Sequence, residues 1–263
     1  MTTALYARTL APAPRVAVPI QELLGGNVAK FPTRCSSCGL RELCLPCGLS
    51  GQDVDRVDEL IYTRRRMRRG ESLYRAGDEF SSLYAVRSGF FKAVQTLEDG
   101  RDQVTGFYMS GEIIGLDGIG PEVHILNAVA LEDSEVCVIP YSRLESLGRD
   151  MHAVRHQFHK VMSREIVREH GVMLLLGTMR AEERLATFLL NLSQRFTARG
   201  YSASEFNLRM TREEIGSYLG LKLETVSRAF SRFQEDGLIS VQQKHIHILD
   251  VAGLRKVMGQ ATS

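Results

Sequence analysis

The chain has 263 residues, 44% of them hydrophobic and 24% charged, the composition of an ordinary globular protein long enough for two domains. Its formal net charge of +2 excludes wholesale attraction to a polyanion, so any nucleic-acid contact must come from local placement of charge. No apolar run reaches membrane-spanning length and the N-terminus lacks a charged region followed by an apolar core, so neither insertion nor export is expected and a cytoplasmic location follows.

Residues 1–34 carry four of the seven prolines and no helix-length apolar stripe, which reads as a mobile tail. Cys35 to Cys47 then places four of the five cysteines within thirteen residues. Thiols this crowded hold a metal centre or form disulfides. Spacers of two, five and two residues leave no folded element for a disulfide framework. Structural zinc sites usually set two CxxC pairs about a dozen residues apart, whereas an iron–sulfur cluster is wider than one ion and can be wrapped by a single loop. The spacing favours iron–sulfur, with zinc, a redox thiol pair or plain structural cysteines as alternatives. The fifth cysteine, Cys137, lies in the strand-like run Glu-Val-Cys-Val-Ile and by itself reads as a small buried core residue.

Helical spacing through Val54, Val57, Leu60 and Ile61 predicts a helix over Gln52 to Arg64. The basic run Arg64 to Arg69 leads into a strand pattern and reads as a solvated edge. From Glu71 to Pro140 short period-2 runs alternate with turn signals such as Gly77-Asp78, Ser88-Gly89 and Glu98-Asp-Gly100, which predicts an antiparallel sandwich or roll. No catalytic grouping or phosphate-cradling loop appears, so no enzyme is expected.

After about Ser142 the period becomes helical. Phe158, Met162, Ile166, Glu169, Met173 and Leu176 draw one stripe down a long helix, with Val161, Val172, Leu175 and Met179 forming its neighbour. One stripe can pack on the roll while the other meets a second copy, making a parallel coiled-coil dimer; the alternative is a helix buried on both sides within one chain. Glu169 would face its own copy and leave that dimer marginal. His152, His156 and His159 share a face that reads as solvated.

Glu182 to Arg199 forms another helix. Thr211-Arg-Glu-Glu214 then offers a capping box, Gly220 stops the helix it starts, and a second helix runs from Glu224 to Asp236 with Val226, Phe230 and Phe233 inward and Ser227, Arg228 and Arg232 outward. Two short helices around a tight turn make a helix-turn-helix, and the alternating stretches on either side of Gln243-Lys244 are placed to be a wing. With six basic and five acidic residues from Arg209 to Lys244, base contacts must carry much of the selectivity.

Cys35, Cys38, Cys44 and the distant Cys137, together with Ala181-Glu-Glu-Arg-Leu-Ala186 and Glu224-Thr-Val-Ser-Arg228, resemble the oxygen-sensing FNR (fumarate and nitrate reduction) regulators of the CRP/FNR superfamily, over roughly residues 33 to 250. The resemblance implies an α+β fold: an N-terminal antiparallel β-roll like a cyclic-nucleotide-binding jelly roll, a long dimerisation helix, and a C-terminal winged helix-turn-helix. It divides the chain at 1–34, 35–148, 149–180 and 181–263. It also implies that Cys35, Cys38, Cys44 and Cys137 bind a [4Fe-4S] cluster, which turns Cys137 from core residue into ligand and leaves Cys47 outside the usual set.

By the same resemblance the chain is a transcription activator and repressor of anaerobic gene expression. Its homodimer interface runs through Phe158, Met162, Ile166, Glu169, Met173 and Leu176. Glu224, Ser227 and Arg228 read a double-stranded palindrome like TTGAT-N4-ATCAA, with Thr225 and Arg212 as further contacts and Lys222, where the family commonly has a small capping residue, offered to a phosphate. The loop Thr96 to Asp102 occupies the position where related regulators touch RNA polymerase. Cyclic-nucleotide-binding relatives carry an Arg-Ser pair after their Gly-Glu motif. Gly111-Glu112 is present here but Glu122 to Asn127 has no arginine, so no cyclic nucleotide is expected.

Overall fold

A computed structural model describes residues 34–60 and 63–259. The predicted tail, except Arg34, and Ile61 lie outside the described residues. The first helix, α1 (Gly51–Leu60), buries Val54, Val57 and Leu60 as its spacing requires. It ends before the predicted Arg64, because Thr63 and Arg64 belong to strand β1 (Thr63–Met67) and pair with Val138 and Cys137.

The roll is two antiparallel four-stranded sheets. One has the order β1, β8 (Ser134–Pro140), β3 (Ser82–Ser88), β6 (Ile113–Ile114). The other has the order β2 (Ser72–Tyr74), β7 (Asn127–Ala130), β4 (Phe90–Thr96), β5 (Asp102–Met109). Met67, Val86 and Val136 of the first sheet form a common core with Phe91, Ala93, Tyr108 and Ala130 of the second. The basic run on β1 is more than a solvated edge. Arg64 and Arg66 approach the Glu135 carboxylate at 3.7 and 3.6 Å, and Arg65 donates to the Leu73 carbonyl at 2.9 Å.

The helical region divides at Met151, a buried residue with extended backbone, into α2 (Tyr141–Asp150) and α3 (His152–Thr178). Val154, Gln157, Val161 and Leu175 bury one side of α3 against its own chain. His152, His156 and His159 are exposed.

The C-terminal part comprises α4 (Ala181–Thr197), β9 (Glu205–Asn207), α5 (Arg212–Leu219), α6 (Leu223–Glu235), β10 (Ile239–Gln242), β11 (His245–Ile248) and α7 (Val251–Val257). Its sheet has the order β10, β11, β9. Its core is continuous with the outer face of the second roll sheet. Phe90, Val94, Val104 and Phe107 pack in one cluster with Phe188, Ile215, Leu219 and Phe230. This explains why Phe90 to Val94 is apolar at nearly every position: both faces of β4 are covered.

Candidate cysteine centre and nucleic-acid interface

The cysteine segment is a succession of tight turns. The Cys38 amide donates to the Cys35 carbonyl at 3.1 Å, Cys44 to Leu40 at 3.1 Å, and Cys47 to Cys44 at 3.1 Å. It is pinned at three points. Asp58 of α1 accepts from the Cys35 amide and, at 2.6 Å, from the Ser36 hydroxyl. Arg41 reaches back to the Leu49 carbonyl at 2.6 Å, and Leu45 is fully buried beneath the loop.

Strand β8 brings Cys137 to the same place, opposite Ala85 of β3 and Arg64 of β1. Cys35, Cys38, Cys44 and Cys137 share the lining of one cavity with Arg34, Arg41 and Arg87, against an apolar wall that includes Ala85 and Pro46. Cys47 does not line it. All five thiols are free. Burial, reinforced by the neighbouring Cys44 thiol, raises the Cys35 thiol far above the usual range. Burial pushes Cys44 up to about 12 and Cys137 up to about 11, the latter against the pull of Arg87 and Arg64. Thiols held this way keep their protons at neutral pH unless a metal displaces them. Among the described residues no three His, Cys, Asp or Glu side chains gather as a single ion would require. The donors lining this cavity are four thiols with no carboxylate or imidazole among them, a soft set of the kind that iron–sulfur centres and zinc both use.

At the other end of the molecule, the Thr211 hydroxyl accepts from the Glu214 amide at 3.1 Å while the Glu214 carboxylate accepts from the Thr211 amide at 2.7 Å. That closes the start of α5. Gly220 ends it with φ +63°, a conformation that other residues adopt only with strain. On α6, Val226, Phe230 and Phe233 are buried, whereas Lys222, Glu224, Ser227 and Arg228 are exposed and Thr225 is half-buried. Lys222 occupies the N-cap and makes no side-chain cap. Arg212 stacks on the Phe230 ring, 3.2 Å from its centroid, with Nη1 buried and without a hydrogen-bond partner; burial draws its guanidinium down to about 10.

Arg184 of α4 joins the long helix to this unit. Its guanidinium donates to the Leu176 and Met179 carbonyls at the end of α3 and to the Leu219 carbonyl at the end of α5, each at 2.9 Å. These carbonyls lie at helix C-termini, where intrahelical donors run out.

The predicted stripe on α3 divides. Ile166 and Met173 are exposed, as are the adjacent Val167 and Leu174, and Glu169 is 48% exposed with its carboxylate 3.8 Å from Arg168. Phe158 and Leu176 at its two ends pack partly into their own chain, and Met162 is half-buried.

Sequence reasoning missed a polar interface between the roll and the C-terminal part. Lys92 of β4 bonds Glu214 of α5 at 2.8 Å, and the Val104 amide donates to the Ser217 hydroxyl at 2.8 Å. Glu112, in the turn after β5, takes Arg195 at 2.6 Å and Arg199 at 2.7 Å. Burial opposes ionisation of Glu112, yet the two guanidiniums prevail and hold its carboxyl below the ordinary carboxylate range. Glu112 also lines a cavity of about 220 Å³ beside Cys44, with Arg164, Arg168 and Arg199.

Two family models match the chain: a cyclic nucleotide-binding domain over residues 64–150 and a Crp-like helix-turn-helix domain over 183–257. Among curated relatives, the transcriptional regulatory protein btr of Bordetella pertussis is 49% identical over 226 residues, covering 86% of this chain and 93% of that protein. The transcriptional activator protein FnrA of Stutzerimonas stutzeri is 46% identical over 233 residues, covering 89% and 96%. The solved structure of FixK2 from Bradyrhizobium japonicum superposes with a TM-score of 0.70 at 31% identity, covering 76% of this chain and 98% of that one.

Proposed function

The chain belongs to the FNR-type transcriptional regulators of the CRP/FNR family, with a helix-turn-helix DNA-binding domain, and on that premise we propose that it senses oxygen through a [4Fe-4S] cluster held by Cys35, Cys38, Cys44 and Cys137. The observation that carries the reading is the shared cavity: three thiols of a pinned loop and one from β8 line it, and Cys47 does not. Bound there, such a cluster supplies reactivity toward oxygen that no side chain in the cavity possesses.

The chain's own residues convert that chemistry into a change of assembly. Engaged thiolates tie the Cys35–Cys44 loop to β8 at Cys137, against the same core that receives Val154 and Val161 of α3. With the loop tied, the outer face of α3, carrying Ile166 and Met173, pairs with a second copy despite Glu169. Loss of the tie lets the monomer prevail. A dimer presents two α6 helices about one DNA turn apart, near 34 Å, whereas a monomer presents one, so DNA affinity falls as the dimer is lost.

On the DNA, Arg228 donates twice to guanine O6 and N7, Glu224 accepts from cytosine N4 and Ser227 completes the readout of a TTGAT-N4-ATCAA-like palindrome, while exposed Lys222 meets a phosphate. Arg212, already stacked on Phe230, contributes by supporting α6. The β4–β5 turn at residues 97–101 is offered to RNA polymerase. Cyclic nucleotide plays no part in this reading. Glu112 is already engaged by two guanidiniums, and the stretch after it faces a carboxylate in place of a cation, with Asp117 accepting from the Ile125 amide at 2.9 Å and buried His124 stacked on Tyr74. No helix among the described residues is long and apolar enough to cross a membrane, which is consistent with action in the cytoplasm.

The test is anaerobic purification with iron, sulfide and visible spectra recorded, then DNA binding and oligomeric state followed as air is admitted. Bleaching together with loss of dimer and of DNA binding is expected. A colourless zinc-containing dimer that binds DNA equally well in air would overturn the reading.

A further inference from the structure

Strands β3 and β8 pair in regular register through Val86 and Val136, then slip, so that Ser88 rather than Arg87 stands opposite Glu135. Arg87 is the extra residue of a β-bulge, a device that re-aims one side chain of a strand. Here it turns the guanidinium to the cysteine cavity, which Arg87 lines. Nε lies 3.0 Å from the Glu135 carboxylate, and Nη1 donates to the Cys38 thiol sulfur at 3.7 Å. Glu135 is itself well held, its side chain 16% exposed and within 3.7 Å of Arg64 and 3.6 Å of Arg66. One carboxylate thus anchors several guanidiniums at the edge of a cavity lined by four thiols, and the local charge is positive.

A cluster ligated by four thiolates carries net negative charge, and hydrogen bonds to its sulfurs are one means by which a protein tunes it. We propose that Arg87, aimed by the bulge and steadied by Glu135, is a positioning residue of the cysteine centre: its N–H···S bond orients Cys38 and its charge retains the bound cluster. This rests on the reading of Cys35, Cys38, Cys44 and Cys137 as cluster ligands. Glu135 reaches Cys38 through Arg87, which it holds at 3.0 Å, and its own charge is also felt at Cys137.

The experiment compares full-length wild type with Arg87→Ala, Arg87→Lys and Glu135→Gln, all reconstituted anaerobically. Iron loss to a chelator without oxygen and the Fe–S stretching bands in resonance Raman are the readouts. Arg87→Ala should lose iron on the order of tenfold faster, the scale of removing an outer-shell partner of a metal ligand, with shifted Fe–S bands. Arg87→Lys should recover part of the retention through its charge, and Glu135→Gln should fall between. Should Arg87→Ala not fold, as judged by circular dichroism of the cluster-free protein, Arg87→Lys decides the matter: faster iron loss or shifted Fe–S bands uphold the role, and wild-type values of both overturn it. Wild-type rates and bands in every folded variant would overturn the role of Arg87. Failure of the wild type itself to hold iron and sulfide would overturn the cluster reading instead.

Discussion

Leu43 of the cysteine loop rests directly on Gly111: a Cβ built at Gly111 would lie 2.8 Å from the Leu43 Cβ, closer than side chains tolerate. Gly111 has φ +89°, so a side chain there would be strained as well as crowded. The next residue is Glu112, which grips Arg195 and Arg199. The cysteine loop and the DNA-binding part therefore meet at two consecutive residues of one turn, and a movement of the loop has a direct mechanical route to α4.

That contact has a pH signature. The Glu112 carboxyl is held below its ordinary value, so the ion pair contributes stability fully present above the unfolded carboxylate range, about pH 4.3, and lost as pH falls through the lower folded value. Glu112→Gln leaves two largely buried guanidiniums without their anion and should cost about 3–5 kcal/mol at neutral pH. Urea titration of both proteins at pH 7 and near pH 3, well below the ordinary carboxylate range, checks this: the gap should narrow at the lower pH. An equal gap at both would show that the carboxylate charge is not what holds the two parts together.

The origin of this contact explains what sequence could and could not show. The Thr211–Glu214 capping box, the stop at Gly220 and the two faces of α6 are local patterns, and each forms as its spacing implies. The resemblance carried the order of roll, long helix and helix-turn-helix, as the matched family models and FixK2 bear out. Strand β1 carries no apolar alternation to mark it: Arg64 is sheltered beside Glu135, Arg65 bonds the Leu73 carbonyl, and Arg66 stays exposed. The pairings of Lys92 with Glu214 and of Glu112 with Arg199 join residues 122 and 87 positions apart, and an exposed-looking charge carries no local sign of such a partner. Cys137 is similar: a cysteine in a β-branched run reads as core until the strand order brings it to the loop.

Arg184 should prove a structural joint. Arg184→Ala leaves three carbonyls at two helix ends without their charged donor, at about 1.5–3 kcal/mol for a hydrogen bond to a charged group. Arg184→Lys keeps the charge but cannot fork to three acceptors. Both variants should bind DNA more weakly while keeping wild-type iron content, because the guanidinium lies away from the cysteine cavity. Parallel iron assays and DNA titrations decide it, and a loss of iron matching the loss of affinity would refute the assignment.

The exposed residues of α6 separate into two kinds by their expected thermodynamics. Arg228→Ala should cost about 1–3 kcal/mol on the palindrome and relax the preference for guanine at one position of each half-site. Lys222→Ala should weaken all sequences nearly alike and reduce the salt slope of binding by about one. Titrations on matched and mismatched duplexes at several salt concentrations distinguish these outcomes.

On the proposed dimer, Glu169 is expected to set the balance between monomer and dimer. It is 48% exposed on the outer face of α3 and lies 3.8 Å from Arg168, a separation too long and too wet to neutralise it. Two copies meeting across a parallel helix pair would oppose these carboxylates, with Ile166 and Met173 of each chain supplying the attraction. Glu169→Ala removes the repulsion and adds apolar contact, so the variant should sediment as a dimer and bind DNA in air, without its cluster. Glu169→Gln should show a smaller effect, since it removes the charge but still places a polar group at the seam. If the alanine variant stays monomeric in air, the restraint on pairing lies elsewhere, in the position the cysteine loop imposes on α3.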